Sequence, residues 1–221
     1  IKNSISDYDK SITYIKLEYN SGHAYARNKA LEKVNTQYLM FLDADDQLAS
    51  YAVEYYLSKV NGLDGLIAPI HKFTINKPQY VDKDKIRIEY LTQKSNPNSF
   101  LRKNTACNIL FKTAIIKAHN IRFNENLKIY TDASFILDYI NYAERFVRLF
   151  DFPFYYRGEI YDPFEGNTLS DQDFILTFED YVNSYIDSVK RTNNKKVLNF
   201  LTHKMKLEIK NGFDPSLRDI E

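Results

Sequence analysis

Hydrophobic positions along this chain form short continuous runs that alternate with apolar stripes at helical spacing. A short continuous apolar run is typical of a buried strand. The runs that predict strands are Ile12–Leu17, Tyr38 to Leu42, Gly65–Ile70, Phe146–Phe150 and Pro153–Tyr156. Pro69 places one of these strands near an edge or an end, because proline cannot donate a ladder hydrogen bond.

The apolar stripes predict the helices, since side chains three and four positions apart share one face of a helix. Asn61-Gly62 and Asn120 are expected to end two of the helices, because Gly and Asn tolerate the left-handed conformation. The predicted helices are Tyr25–Val34, the stripe of Ala52, Val53, Tyr56, Leu57 and Val60, Lys112–His119, the stripe of Ala133, Ile136, Leu137, Ile140 and Ala143, and the amphipathic pair Asp171–Lys190 and Asn194–Lys210.

Strands separated by helices indicate βαβ units and a mostly parallel sheet flanked by helices, which is an α/β fold. Ligands of such sheets bind beyond the carboxyl ends of the strands. The segment from His71 to Leu101 is less regular and rich in Lys, Asn and Pro. The two C-terminal helices are predicted to pack on the domain or to begin an accessory domain.

Composition narrows the class of protein without identifying it. The 221 residues suffice for one domain with an appendage. A net charge of +1 gives no electrostatic reason to expect nucleic acid as a partner. Cys107 is the single cysteine, so no internal disulfide forms, which fits a reducing compartment. Its strand-like neighbours predict a buried structural thiol rather than a nucleophile. The sequence has no apolar run long enough for a membrane span.

Three carboxylates follow the second predicted strand, in the segment YLMFLDADD at 38–46. Asp43, Asp45 and Asp46 repel one another unless a cation or strong donors lie between them. Mg²⁺ and Mn²⁺ favour such oxygen ligands, so a metal-bound phosphate site is one interpretation. The alternative is that the aspartates solvate the strand end and cap the next helix. An EF-hand is a poorer match, because Leu48 stands where that loop needs Gly.

The segment upstream reads NSGHAYARNKAL at 20–31 and leads through 32–36 into the strand. An Asn-Ser-Gly turn, an Ala-Arg-Asn helix start and a strand ending in Asp-x-Asp-Asp together resemble the family 2 glycosyltransferases with the GT-A fold. The downstream stretch CNILFKTAIIKAHNIRFNEN at 107–126, PFYYR at 153–157 and NTLS at 167–170 extend the resemblance over residues 10–170. Within the family, the chain looks most like enzymes that glycosylate wall teichoic acid.

The resemblance implies a GT-A catalytic domain at 1–168 and a helical extension or start of an accessory domain at 169–221. Family members begin with a strand, a helix and a second strand that bind the nucleotide base and ribose. About sixty residues of that kind are expected before Ile1. The family has an acidic pair where this chain has Thr131 and Asp132, so one carboxylate of the pair is replaced.

The resemblance also assigns roles to individual residues. Asp45 is the predicted metal ligand, Asp43 faces the ribose or a metal-bound water, and Asp46 caps the following helix. Arg27 is predicted to bind the donor phosphates, with a surface cation as the alternative. Asp132 is predicted to deprotonate the acceptor, with helix capping as the alternative. The candidates for the acceptor site or its loops are His23 and Arg157, and His23 alternatively lines the donor pocket or is exposed.

The implied function is inverting, metal-dependent transfer of a hexosyl or N-acetylhexosaminyl group from a nucleotide sugar, UDP-linked by expectation. Mn²⁺ or Mg²⁺ is the expected cofactor. The expected acceptor is a glycan or a polyol-phosphate polymer of the cell surface. The expected location is the cytoplasm. Peripheral association at the inner face of the membrane and a homo-oligomer are further expectations. A catalytically idle GT-A domain that binds glycan or assembles a complex is the alternative.

Overall fold

The computed structural model describes residues 12–72, 86–92, 105–128, 131–150, 154–158, 174–195, 198–199 and 202. The helices are α1 (Gly22–Leu31), α2 (Ala52–Val60), α3 (Thr113–Ala118), α4 (Thr131–Ile140) and α5 (Phe174–Arg191). The strands are β1 (Tyr38–Leu39), β2 (Gln47–Leu48), β3 (Gly65–Ile67), β4 (Ile70–Lys72), β5 (Ile88–Thr92), β6 (Ile109–Lys112), β7 (Arg145–Leu149) and β8 (Tyr155–Arg157). A 3₁₀ turn at Ala106–Asn108 leads into β6.

The larger sheet has the strand order β1-β6-β3-β7-β5. The α/β fold class is confirmed, but the sheet is mixed where a mostly parallel one was predicted. Strands β1, β3 and β7 run in one direction, as βαβ units require, and β3 pairs with β7 in parallel. Strands β6 and β5 run against them and make the other three described pairings antiparallel. The alternation of strands and helices along the chain predicted strands that run in one direction, but it could not reveal that β6 inserts between β1 and β3.

Strand alternation divides the core between the two faces of this sheet. One face carries Ile67, Ile109 and Phe111, which pack with residues of α1, α3 and α4. The opposite face carries Leu66, Leu110 and Val147, which pack with Ala52, Tyr56 and Val60 of α2. Buried aliphatic and aromatic side chains each contribute about 1.5–3 kcal/mol. Helices therefore cover both faces of the sheet behind the loops at its edge.

A smaller sheet has the order β2-β8-β4 and begins directly after the three aspartates. Leu48 pairs with Tyr155 across the antiparallel β2–β8 ladder, and Ile70 pairs with Tyr155 across the parallel β4–β8 ladder. The predicted strand Gly65–Ile70 is divided at Ala68 and Pro69 between β3 and β4. The prediction that Pro69 lies at a strand end is confirmed, and the break allows the chain to pass from one sheet to the other.

The prediction of a strand at Ile12–Leu17 is wrong, since this segment has no regular structure. Ile12 and Tyr14 are 48% and 52% exposed, and neither described sheet includes the segment. A strand needs a hydrogen-bonded neighbour, so apolar content alone did not produce one. The next helix begins at Gly22 rather than Tyr25, and the side chain of Asn20 accepts a hydrogen bond from its first N–H at 3.2 Å.

The helix predictions at 52–60, 112–119, 133–143 and 171–190 agree with the structure within a few residues at each end. Asn120 adopts φ 47° after α3, as predicted for a helix end. Helix α5 packs on α4, where Tyr185 joins the core and Arg191 forms an ion pair with Asp138. The segment 1–11, most of 71–101, Pro153, 167–170 and most of 194–210 lie outside the described residues. Among the described helices, none has the length and apolar character needed to cross a membrane.

Candidate functional site

Arg27 joins two carboxylates that are far apart in sequence. Its Nη2 atom lies 2.6 Å from Oδ1 of Asp43, in the loop after β1. Its Nη1 atom lies 2.7 Å from Oδ1 of Asp132, in the first turn of α4. The other oxygen of Asp132 accepts a hydrogen bond from the backbone N–H of Ala106 at 3.0 Å. The structure thus brings three sequence-predicted site residues together at one edge of the large sheet.

The surroundings of Arg27 hold its guanidinium in one place. The side chain is 13% exposed, so it is not the surface cation of the alternative interpretation. The rings of Phe41 and Phe123 lie 5.7 and 5.3 Å from its Cζ, within the range of cation–π contacts. Burial lowers the pKa of Arg27, but Asp132 and Asp43 raise it more, so its net pKa lies above the usual value.

Cys107 contacts the same guanidinium, with Nη2 of Arg27 3.5 Å from its sulfur. The side chain is buried, as predicted from its neighbours. Burial, together with the charge of Asp43, raises the pKa of the Cys107 thiol to about 12, although Arg27 lowers it. The thiol is therefore neutral at physiological pH, which fits packing rather than nucleophilic chemistry.

His23 contacts Thr131, the residue that replaces one carboxylate of the family's acidic pair. Its Nε2 atom lies 2.8 Å from the Thr131 hydroxyl oxygen. This contact joins the first turns of α1 and α4 beside the Arg27–Asp132 ion pair. Burial is the main cause that lowers the pKa of His23, and Arg27 lowers it further. The imidazole is therefore neutral at neutral pH.

Asp45 and Asp46 differ in what they contact. Asp45 is exposed at the strand tip. Asp46 accepts hydrogen bonds from the Tyr155 hydroxyl and, at 2.8 Å, from the backbone N–H of Gly158. The prediction that Asp46 caps the next helix is wrong, because its side chain holds β8 and the loop after it instead. Tyr51 is the N-cap of α2 and makes no side-chain cap hydrogen bond.

Gly158 is a residue that the sequence did not single out. A Cβ atom on Gly158 would lie 1.9 Å from the carbonyl oxygen of Asp45 and 2.8 Å from its carbonyl carbon. Both of these are backbone atoms, so they cannot move aside as a flexible side chain does. Gly158 therefore permits the close approach that sets the position of the Asp45 loop.

We expect Gly158→Ala to displace the Asp45 loop and to lower the free energy of unfolding by about 1–3 kcal/mol, a usual cost of overpacking. Chemical denaturation and nucleotide-sugar binding would be measured on the same variant. Gly62→Ala is the control, since Gly62 has φ +73° and no atom near an added Cβ. The control should lose stability but keep binding, and parental binding in Gly158→Ala would contradict the role of Gly158.

Asn28, beside Arg27 in α1, has a structural role that the sequence patterns did not predict. Its Nδ2 donates to the backbone oxygen of Phe123 and to Glu125, and its Oδ1 accepts from the N–H of Phe123. The side chain is 6% exposed. A buried amide with its hydrogen bonds satisfied fixes α1 against the segment that carries Phe123. An Asn at a buried position of a helix is the signal that could have indicated this contact.

The described residues provide no group of three or more His, Cys, Asp or Glu side chains that could hold a metal by themselves. The EF-hand interpretation is wrong, because strand β1 precedes the aspartates where that motif needs a helix. An exposed carboxylate such as Asp45 fits a different arrangement, in which Mg²⁺ is bound by one or two carboxylates together with substrate phosphates.

Arg157 is exposed at the end of β8, one residue before Gly158.

Solved structures share this fold. The chain matches S. aureus TarS 1-349 in complex with UDP-GlcNAc with a TM-score of 0.62 and 19% identity, over 86% of this chain and 53% of that chain. It matches the crystal structure of S. aureus TarS 1-349 with a TM-score of 0.58 and 22% identity, over 84% of this chain and 50% of that chain. These matches confirm the predicted GT-A fold.

Two named proteins are similar in sequence. The teichoic acid poly(glycerol phosphate) polymerase of Staphylococcus epidermidis is 60% identical over 217 residues, which are 98% of this chain and 30% of that protein. The teichuronic acid biosynthesis glycosyltransferase TuaG of Bacillus subtilis is 54% identical over 39 residues, which are 18% of this chain and 16% of that protein. The chain therefore spans less than a third of the length of either relative.

The model of the glycosyl transferase family 2 matches residues 1–121, which include the Arg27 helix and the three aspartates. This match covers more than half of the chain, and the motifs within it are the ones that the sequence analysis identified. The chain belongs to glycosyl transferase family 2.

Proposed function

We propose that this chain is the catalytic domain of an inverting glycosyltransferase, which moves a hexosyl or N-acetylhexosaminyl group from a UDP-linked donor to a hydroxyl of a teichoic-acid-type polymer or another cell-surface glycan. The observation that carries the proposal is the bridge of Arg27 to both Asp43 and Asp132. It places the carboxylate predicted to face the donor beside the carboxylate predicted to activate the acceptor. Transfer between two bound substrates requires this proximity.

In this proposal Asp132 accepts the proton of the acceptor hydroxyl while the hydroxyl oxygen attacks the anomeric carbon. Attack from the side opposite the leaving nucleotide inverts that carbon. Arg27 orients Asp132, and it is also the proposed partner of the donor phosphates beside the Asp43 loop. Asp45 would hold Mn²⁺ or Mg²⁺, and the ion would neutralise the diphosphate leaving group as a Lewis acid.

The acceptor class is supported by the relative from S. epidermidis, whose name includes a poly(glycerol phosphate) product. This chain corresponds to 30% of that polymerase, so the activity in its name is not transferred to this chain. A polyol-phosphate polymer is instead the acceptor that we would test first. The same reasoning makes UDP-GlcNAc the first donor to test, because a structure of TarS contains it.

A catalytically idle domain that binds glycan is the second candidate. One observation favours it: Arg27 engages both carboxylates of the proposed site. In an idle domain this pairing only stabilises the fold, whereas in an enzyme Asp132 must also be able to accept a proton while Arg27 holds it. Turnover, rather than binding, separates the two candidates.

The test uses the full-length protein with UDP-, GDP-, TDP- and CDP-sugars, each with and without Mn²⁺. We expect calorimetry to detect metal-dependent binding of a UDP-sugar, and a transfer assay to detect sugar on a glycerol phosphate oligomer. Binding without transfer or hydrolysis would favour the idle domain. Binding of none of the four donors would contradict the proposed function.

A further inference from the structure

The contact between His23 and Thr131 provides a neutral polar pair beside the proposed base. Thr131 is 1% exposed and is the first residue of α4, while Asp132 follows it directly. His23 is half-buried, and its Nε2 is fixed at 2.8 Å from the Thr131 hydroxyl. This hydrogen bond orients the imidazole and leaves Nδ1 as the second polar atom of the ring.

Several groups around His23 act on its charge. Arg27 lies one turn further along α1, Asp132 lies on α4, and Asp43 lies in the loop after β1. Burial and Arg27 lower the pKa of His23, while Asp132 and Asp43 raise it by less. The first turn of α1 contains no acidic residue, and the partial positive charge of a helix N-terminus also disfavours the imidazolium. The ring is therefore kept neutral within a cluster of charged side chains.

A neutral imidazole has one donor nitrogen and one acceptor nitrogen. Because the hydroxyl of Thr131 can donate or accept, either tautomer of His23 can pair with it. The remaining nitrogen can then pair with another hydroxyl in both cases, since a hydroxyl also donates and accepts. A phosphate oxygen accepts only, so it matches just one of the two tautomers. The pair can therefore bind a sugar or polyol hydroxyl in either tautomer, whereas an anion requires the form with a proton on Nδ1.

We propose that His23, held by Thr131, binds a hydroxyl of the acceptor next to the hydroxyl that Asp132 activates. This inference rests on the proposed function and gives its acceptor subsite a specific residue and chemistry. His23 contributes to acceptor affinity and contributes little to binding of the nucleotide-sugar donor.

The experiment measures acceptor and donor parameters separately in the full-length protein, with UDP-GlcNAc, Mn²⁺ and a short glycerol phosphate oligomer. We expect His23→Ala to raise the KM for the oligomer by about 10-fold, the effect of about one lost hydrogen bond. The kcat and the donor Kd should stay within about twofold, because no group that binds the diphosphate or removes the proton has changed.

Two further variants separate binding from structural damage. His23→Gln keeps an amide in reach of Thr131 and should recover part of the acceptor affinity. Thr131→Val keeps the shape of the side chain but frees the imidazole, so it should raise the acceptor KM without changing the donor Kd. The Thr131 variant also tests the proposal if His23→Ala fails to fold. His119→Ala is the matched control, since His119 is exposed and stacks on Tyr142 with ring centroids 3.5 Å apart.

The pH dependence provides an independent readout. As the pH falls through the lowered pKa of His23, the imidazole gains a proton and both nitrogens become donors. Both donors can still bind hydroxyl oxygens, so the ratio of the acceptor KM of the parent to that of His23→Gln should stay nearly constant as the pH falls. A phosphate contact would instead strengthen with the positive charge, so a parental KM that falls in acid while that of His23→Gln does not would overturn the hydroxyl assignment. The His119→Ala profile should follow the parent.

The outcomes distinguish this inference from the proposed function. A change in donor Kd with an unchanged acceptor KM in His23→Ala would overturn the acceptor assignment while leaving the enzyme assignment intact. If the parent binds the oligomer without transferring sugar, the proposed function fails, and the oligomer Kd of His23→Ala still decides the role of His23. If the parent binds neither donor nor oligomer, both proposals are wrong.

Discussion

Asp132→Asn is expected to lower the rate of sugar transfer by about 10²–10⁴-fold, the usual contribution of a general base. Asparagine keeps the size of the side chain but cannot accept the proton of the acceptor hydroxyl. Binding of the nucleotide sugar should persist, because the predicted donor contacts at Asp43 and Asp45 are unchanged. Transfer would be measured with saturating donor, and donor affinity by calorimetry.

The geometry of Asp132 adds a structural effect to this variant. Each carboxylate oxygen now accepts from a donor, one from Arg27 at 2.7 Å and one from the Ala106 N–H at 3.0 Å. An asparagine amide has one oxygen and one NH₂ group, so its NH₂ must face one of these donors. We therefore expect a stability loss of about 1–3 kcal/mol, the cost of leaving a buried polar group unpaired.

Asp43→Asn is the matched control, because it weakens the same Arg27 network from the donor side. It should raise the donor KM and leave the proton acceptor in place, whereas Asp132→Asn should lower kcat. A kcat for Asp132→Asn close to that of the parent would show that another carboxylate is the base. Equal losses of kcat in both variants would indicate that the Arg27 network, rather than proton transfer, limits the reaction.

The sequence predicted the layers of the fold better than the order of its strands. Three of the five residues in the predicted stripe of α2 are buried, namely Ala52, Tyr56 and Val60, but Val53 and Leu57 are 54% and 51% exposed. The stripe still identifies the buried face, because burial on one side of a helix is a local property of the sequence. The insertion of β6 between β1 and β3 depends on pairing between residues that are distant along the chain. The periodicity of hydrophobic positions does not depend on such pairing, so the mixed sheet was not predicted.

The candidate site shows the same division between local and long-range information. The Arg27 helix and the aspartates were found because their motifs are continuous in sequence. The partners of Arg27 and Asp46 were not found, since Asp132 and Tyr155 come from distant segments. The role of Gly158 depends on one close backbone approach, which no composition or spacing predicts.

Asp45→Ala is expected to raise the Kd for a UDP-sugar in the presence of Mn²⁺ by about 100-fold or more, which corresponds to about 2.7 kcal/mol. The reason is that Asp45 is the predicted protein ligand of the ion that neutralises the diphosphate. Binding without Mn²⁺ should change little. Calorimetry with and without the ion would measure both quantities.

The stability of Asp45→Ala should stay within about 0.5 kcal/mol of the parent, since an exposed side chain away from the core rarely contributes more. Asp46→Ala provides the contrast one residue further along. It removes the acceptor of the buried Tyr155 hydroxyl and of the Gly158 N–H, so it should cost about 1–3 kcal/mol. Adjacent aspartates are therefore expected to separate into a binding residue and a structural one.

Glu54→Gln is the control for charge, because Glu54 is an exposed carboxylate in the first turn of α2. Its loss should leave Mn²⁺-dependent binding unchanged, which shows that a general reduction of negative charge is not the cause. If Asp45→Ala binds the UDP-sugar as tightly as the parent in Mn²⁺, the metal assignment is wrong. A loss of binding that is the same with and without Mn²⁺ would instead assign Asp45 to the sugar nucleotide itself, because a metal ligand acts only when the metal is present.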